Sequence, residues 1–131
     1  MKKTILLYSL LCCIFFKVKA QTFNCATLKN GVYEIQDAKA GTYQLIRNGD
    51  SQIEKSKDGQ YEATYAINWT NKCTYSLQLV EIVKNNKNID IPQNVLLTIK
   101  ILEVHKGFYT QSVQSSQGKQ IKKQKVLIIK P

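Results

Sequence analysis

The chain has 131 residues, a formal net charge of +10, one histidine and four cysteines. That length allows one ordinary domain with one modest core, and no segment beyond the first twenty residues is apolar for long enough to span a bilayer as a helix. Lysine carries nearly all the positive charge, with Arg47 the only arginine, which argues for solubility more than for a surface that grips phosphates with paired forks.

The first twenty residues have the layout of an export signal. Lys2 and Lys3 form the charged start, Thr4 to Phe16 the apolar run, and Val18-Lys19-Ala20 the small-residue cleavage site. The mature domain is therefore expected to span 21–131 and to be periplasmic or secreted. Lipid attachment at Cys12 is not expected, because bulky Leu10 and Leu11 precede it and Phe15 and Phe16 follow. Loss of Lys2, Lys3, Lys17 and Lys19 lowers the net charge to about +6. It also leaves Cys25 and Cys73 as the only thiols in an oxidising compartment, where they are expected to pair. Closing that loop would stabilise a small domain by about 4 kcal/mol. Two separate buried thiols are the alternative.

Strand signals dominate the mature chain, and no stretch shows helical periodicity beyond two turns. GVYEIQD opens the domain with Tyr33 and Ile35 on one face, and Ala38 to Gly41 turn it into TYQLIRN. Asn48-Gly49-Asp50 breaks the chain before SQIEKS, and Lys57-Asp58-Gly59 is a hairpin signal because Asp-Gly accepts the positive backbone angles of tight turns. YEATYAINW alternates, with Tyr61, Ala63, Tyr65, Ile67 and Trp69 facing one way. After Thr70 to Lys72, CTYSLQLVEIV repeats the pattern with Cys73, Tyr75, Leu77 and Leu79 on one face. A polar loop containing Pro92 leads to NVLLTIKILEVHK, where Val95, Leu97, Ile99 and Ile101 alternate. Lys106-Gly107 and Gln117-Gly118-Lys119 are the last turns, before FYTQSVQSS and KKQKVLIIK respectively.

The pattern predicts a single all-β domain: one antiparallel meander of seven or eight strands, curled into a small barrel or a half-barrel so that few edges stay exposed. Trp69 would end one strand on its inward face and Cys73 would begin the next. Cys25 lies just before the first strand, so its bridge to Cys73 would staple the N-terminal segment across one end of the barrel, with the indole packed over it as a plug.

At these residues the chain resembles a family of small exported bacterial proteins whose function is uncharacterised. The shared pattern is Cys25 with Leu28 and Gly31-Val32-Tyr33; then Ile46-Arg47-Asn48 with Ser51-Gln52 and Glu54; then Ile67-Asn68-Trp69 with Cys73, Tyr75 and Leu77. It covers most of the mature chain and implies no catalytic assignment. The opening glycine-aromatic strand and the meander also look like lipocalin-type barrels, a likeness that implies a ligand cavity.

Arg47, Gln52 and Glu54 form the strongest polar constellation. The guanidinium would either pair with Glu54 across the strands or hold a carboxylate or phosphate of an outside partner. His105 shares a strand face with Glu103, and without a serine, cysteine or carboxylate spacing that forces a triad it reads as a solvated strand-end residue. No metal or cofactor is expected, since the cysteines suit a disulfide better and the glycines form no phosphate loop. The lysines at 119, 122, 123 and 125 (Lys119, Lys122, Lys123, Lys125) would either discourage edge-to-edge pairing of sheets or attract an anionic polymer. They lack the interleaved aromatics of single-strand nucleic-acid binders, so no specific nucleic-acid recognition is expected. Asn68-Trp69-Thr70 matches a glycosylation acceptor.

Two functions follow as expectations, neither of them enzymatic. One is a barrel that holds a small apolar or amphipathic ligand against Tyr33, Tyr65, Tyr75 and aliphatic neighbours. The other is an envelope interaction module that uses Arg47 and the basic outer surface.

Overall fold

The computed structural model describes residues 24–91, 93–118 and 120–131, so the segment expected to be an export signal, Pro92 and Lys119 lie outside the described residues. A 3-10 helix, Cys25–Leu28, leads into eight strands: β1 Asn30–Asp37, β2 Gly41–Asn48, β3 Ser51–Ser56, β4 Tyr61–Trp69, β5 Thr74–Asn85, β6 Leu96–His105, β7 Phe108–Ser115 and β8 Ile121–Lys130. Each strand pairs antiparallel with the next, and β8 returns to pair with β1. The meander is thus a closed barrel, which settles the choice left open by the alternation pattern. Closure satisfies backbone groups that an open sheet would leave along two edges.

Alternation explains which residues fill the interior. On β4 the buried residues are Tyr61, Ala63, Tyr65 and Ile67, and on β7 they are Tyr109 and Gln111. The Asp58-Gly59 turn forms as expected, with Gly59 at φ 74°, in the left-handed region that a side chain rarely adopts. The pattern breaks on β5. Register shifts against β4 insert extra residues there, and Val80 and Val83 end up facing outward, 65 % and 53 % exposed. Such bulges bend and twist a strand, and a narrow barrel wall needs that curvature.

The barrel has two unlike ends. One carries the start of β1, the β2–β3, β4–β5 and β6–β7 turns, the 3-10 helix and the disulfide; we call it the capped end. The other carries the β1–β2, β3–β4 and β7–β8 turns and the long β5–β6 loop. Because β6 begins at Leu96, opposite Gln78, residues 79–85 of β5 extend beyond their pairing with it. The loop that follows bends back, and Asn85 holds Ile89 through Nδ2 to the Ile89 carbonyl at 2.9 Å and the Ile89 amide to Oδ1 at 3.0 Å. Ile89 and Ile91 consequently pack against the interior cluster.

Gly31 is where the barrel seam is tightest. It has φ 135°, and a Cβ there would stand 2.5 Å from the Lys130 carbonyl oxygen and 2.9 Å from the Tyr33 hydroxyl. A backbone carbonyl of the adjoining strand cannot swing aside as a side-chain tip can. Gly31→Ala is therefore expected to destabilise the protein by roughly 3 kcal/mol or more, combining backbone strain with a forced shift at the β1–β8 seam. Urea unfolding of the variant measures it; an unchanged midpoint would contradict the described seam.

Candidate functional site

The capped half of the interior is filled by a polar cluster around Arg47. This arginine is 2 % exposed, on the inward face of β2 directly opposite Gln52. Its Nε donates to Gln52 Oε1 at 3.1 Å, Nη1 to the Leu28 carbonyl at 2.7 Å, and Nη2 to the hydroxyls of Tyr75 at 2.9 Å and Tyr109 at 3.1 Å. The guanidinium also lies over the rings of Tyr33 and Tyr75, at 4.7 and 5.0 Å. A buried cation of this kind is tolerated only when its donors are matched. Here the matching groups are neutral dipoles and ring faces, with no carboxylate among them.

Arg47 therefore does neither of the things its sequence context suggested: it makes no ion pair with Glu54, and it is sealed away from any outside partner. The physical reason is the pleat. Arg47, Gln52 and Glu54 share the inward face, but the guanidinium turns toward the capped end, where the Leu28 carbonyl and two phenols converge. Burial pushes the Tyr33 hydroxyl up to about 12, with Arg47 opposing the shift in part and Tyr109 adding to it. Burial also raises Tyr75 and Tyr109 against the opposing charge of Arg47. All three phenols stay neutral: Tyr75 and Tyr109 accept from the arginine without becoming counter-ions, while the Tyr33 hydroxyl donates to the Asn30 carbonyl at 2.7 Å.

The disulfide joins Cys25 to Cys73 with Cα atoms 5.3 Å apart, pinning the 3-10 helix to the β4–β5 connection. Leu28, whose carbonyl Arg47 holds, belongs to the same helix. Trp69 packs at 4.6 Å on Tyr75, its partner across the β4–β5 ladder, and the Lys29 ammonium sits 5.2 Å from its ring centre. The indole thus roofs the arginine cluster, and its buried Nε1 has no hydrogen-bond partner among the described residues.

The other half of the barrel is hollow. A cavity of about 350 Å³ lies near the uncapped end, lined by Ile35, Tyr43, Glu54, Tyr61, Tyr65 and Gln124, with Ile89 and Ile91 contributed by the long loop. A deeper lobe of about 120 Å³ reaches toward the arginine cluster, lined among others by Leu45, Gln52, Glu54, Tyr75, Leu77 and Gln111. Ile35, Glu54 and Gln124 border both. At the mouth Asp37 accepts from the Lys39 and Ala40 amides at 2.8 Å each and meets Lys122 at 3.3 Å. The Ala40 and Lys39 amides, followed by Lys122, hold the Asp37 carboxyl down at about 2, so this charged pair persists at neutral pH.

Glu54 is an inward-facing carboxyl with no ionic partner among the described residues. It is half-buried and lines both lobes, and no ion pair or side-chain hydrogen bond to it occurs among the described residues. Burial alone pushes its carboxyl up to about 7. Tyr61 and Tyr65, joined hydroxyl to hydroxyl at 3.2 Å, are raised chiefly by burial and further by the charge of Glu54.

This makes a stability prediction whose sign is fixed. The folded state keeps the Glu54 proton in a range where the unfolded chain has released it, so stability is undiminished below the ordinary value of 4.5 and falls as pH rises toward 7. Above that the charged carboxylate lowers stability by roughly 3 kcal/mol. Asp37 and Asp58, both held down at about 2, act in a separate window, where their stabilisation is lost only as pH falls below 3.8. Urea midpoints measured at pH 5 and pH 8 should therefore differ in the wild type and converge in Glu54→Gln.

The remaining sequence candidates scatter. Tyr65 lines the larger lobe, Tyr75 and Gln52 lie between the deeper lobe and Arg47, and Tyr33 is packed into the capped half at 5.7 Å from Tyr109 instead of lining the cavity. Lys122 is engaged by Asp37, Lys125 lies 4.5 Å over the Phe108 ring, Lys123 is exposed and Lys119 is outside the described residues. His105 is on the outer surface, 2.9 Å from Glu103 and stacked on Phe108. Sequence reasoning missed Gln111, Gln124 and the loop residues Ile89 and Ile91. Gln111 was findable, because alternation from Tyr109 through Gln111 to Val113 places a polar residue on the inward face. Comparison with known proteins adds no neighbour: no family model, curated protein or solved structure matches the chain.

Proposed function

We propose that the protein is an exported, non-enzymatic binding protein that holds a small amphipathic molecule inside its barrel. The observation that carries this reading is the hollow half of the interior, about 350 Å³ with a further lobe of about 120 Å³. Ligand sites typically begin near 300 Å³ and combine an apolar lining with a few polar groups. The division of labour supports it: the capped half, packed around Arg47 and stapled by the disulfide, gives a rigid floor, while the open end is bordered by turns and one long loop. The export-signal layout of the first twenty residues and the Cys25–Cys73 disulfide support the reading of a protein delivered to an oxidising compartment.

Titration with the neutral fluorophore N-phenyl-1-naphthylamine tests the cavity. Saturable binding at about one probe per chain is expected, abolished by Ile35→Trp, which fills the boundary between the lobes while leaving circular dichroism unchanged. Absence of saturable binding to the wild type would sink the reading. The outer basic surface is the less supported site for a partner, because Arg47 is sealed inside and two of its lysines are engaged within the chain.

A further inference from the structure

We propose that the ligand of this cavity carries a protonated amine, and that Glu54, walled by Tyr43, Tyr61 and Tyr65, is its counter-ion. The inference rests on the binding reading above and adds the ligand's charge to it.

A carboxylate enclosed by protein is costly unless paired. Glu54 stands where the two lobes meet and has no cationic or hydrogen-bonding partner among the described side chains. On the same inward face Arg47 stands two residues beyond Leu45, the ladder partner of Glu54. Its donors, however, are committed to Leu28, Gln52, Tyr75 and Tyr109 on the capped side. For packing alone, a glutamine or an aliphatic residue would serve better at this position. The carboxylate makes physical sense if the missing partner arrives with the ligand.

The walls suit the same charge. Tyr43 and Tyr61 meet edge to face at 6.0 Å, and Tyr61 and Tyr65 are linked through their hydroxyls. The Tyr43 ring already has the Lys87 ammonium over it at 5.4 Å, itself paired with Asp58 at 3.0 Å, so Tyr61 and Tyr65 are the rings offered to a ligand. A ring face carries negative quadrupolar potential, so aromatic walls around a carboxylate favour an ammonium head and tolerate its alkyl or aryl body. An anionic head would face Glu54 with no free cation inside among the described residues. Lys122, which borders the cavity, is held at the mouth by Asp37, and Lys87 over Tyr43 is held by Asp58. The polar groups that line the two lobes with Glu54 are Tyr43 from β2, Gln52 from β3, Tyr61 and Tyr65 from β4, Tyr75 from β5, Gln111 from β7 and Gln124 from β8, with the Asp37–Lys122 pair at the rim.

Three probes of one shape and different charge decide it: 2-(1-naphthyl)ethylammonium, 2-(1-naphthyl)ethanol and 1-naphthylacetate, titrated calorimetrically into wild type and Glu54→Gln at pH 8. The wild type is expected to bind the ammonium about tenfold or more tightly than the alcohol, a charge-assisted bond being about twice as strong as a neutral one. Glu54→Gln, which should fold at least as stably, is expected to keep the alcohol and lose the preference. Equal affinity for ammonium and alcohol, a preference for the carboxylate, a preference that survives Glu54→Gln, or failure of all three probes would each overturn the inference. If N-phenyl-1-naphthylamine still binds, the cavity reading stands without it; if that probe also fails, both fall.

Discussion

Arg47→Ala is expected to lower stability by roughly 4–5 kcal/mol, enough to leave a domain of this size marginal or unfolded. Truncation removes donors from four buried acceptors at once, the Leu28 carbonyl, Gln52 Oε1 and the hydroxyls of Tyr75 and Tyr109. Each buried polar group left unpaired costs about 1–3 kcal/mol, and the vacated volume adds a cavity cost. Two milder variants keep the idea testable if alanine abolishes folding. Arg47→Lys retains charge but places one compact ammonium where a planar fork spans four partners, so a loss of about 2–3 kcal/mol is expected. Arg47→Met removes the buried charge yet leaves the acceptors unpaired. Should the methionine variant match the wild type in urea unfolding, the cluster would not be what holds the capped end.

Removing the Cys25–Cys73 bridge, by Cys25→Ser with Cys73→Ser or by reduction, is expected to lower stability by about 4 kcal/mol. The bond spans a sequence separation of 48 residues, and without it the unfolded chain regains the freedom of that loop. The two losses should not add. The disulfide and the Arg47–Leu28 hydrogen bond fasten the same 3-10 helix, so once one is gone the other secures a segment already partly released. A double-mutant cycle between Arg47→Lys and the serine pair should show a coupling of about 0.5–3 kcal/mol. Strict additivity would mean that the helix is held elsewhere.

These results bear on function because a hollow barrel needs a rigid floor. Empty interior volume forfeits packing that a filled barrel would have. The fold keeps that deficit at the uncapped end and concentrates rigidity at the other. Tyr33, Tyr75 and Tyr109, all nearly or fully buried around one guanidinium, replace the aliphatic layers that would otherwise fill this half. The deeper lobe ends against Tyr75 and Gln52, so the floor of the cavity is the same cluster that stabilises the cap. A ligand head at Glu54 would sit one inward-facing layer above it.

How much of this was legible beforehand depends on whether the deciding interaction was local. Strand alternation has a period of two residues and is readable in any short window. The β4 face from Tyr61 to Ile67, the Asp58-Gly59 hairpin and the antiparallel meander were accordingly visible in the chain itself. The pairing of Cys25 with Cys73 was a matter of counting thiols once the expected leader is set aside. By contrast, the tertiary structure alone decided that β8 closes on β1, that Arg47 is claimed by residues 28, 52, 75 and 109, and that Tyr33 packs into the floor and not the cavity wall. It also decided that Glu54 has a hollow beside it in place of a partner. Those outcomes depend on register and curvature summed around all eight strands. A residue's inward direction is written in its neighbours, but the company it finds there is set by strands far away in the chain.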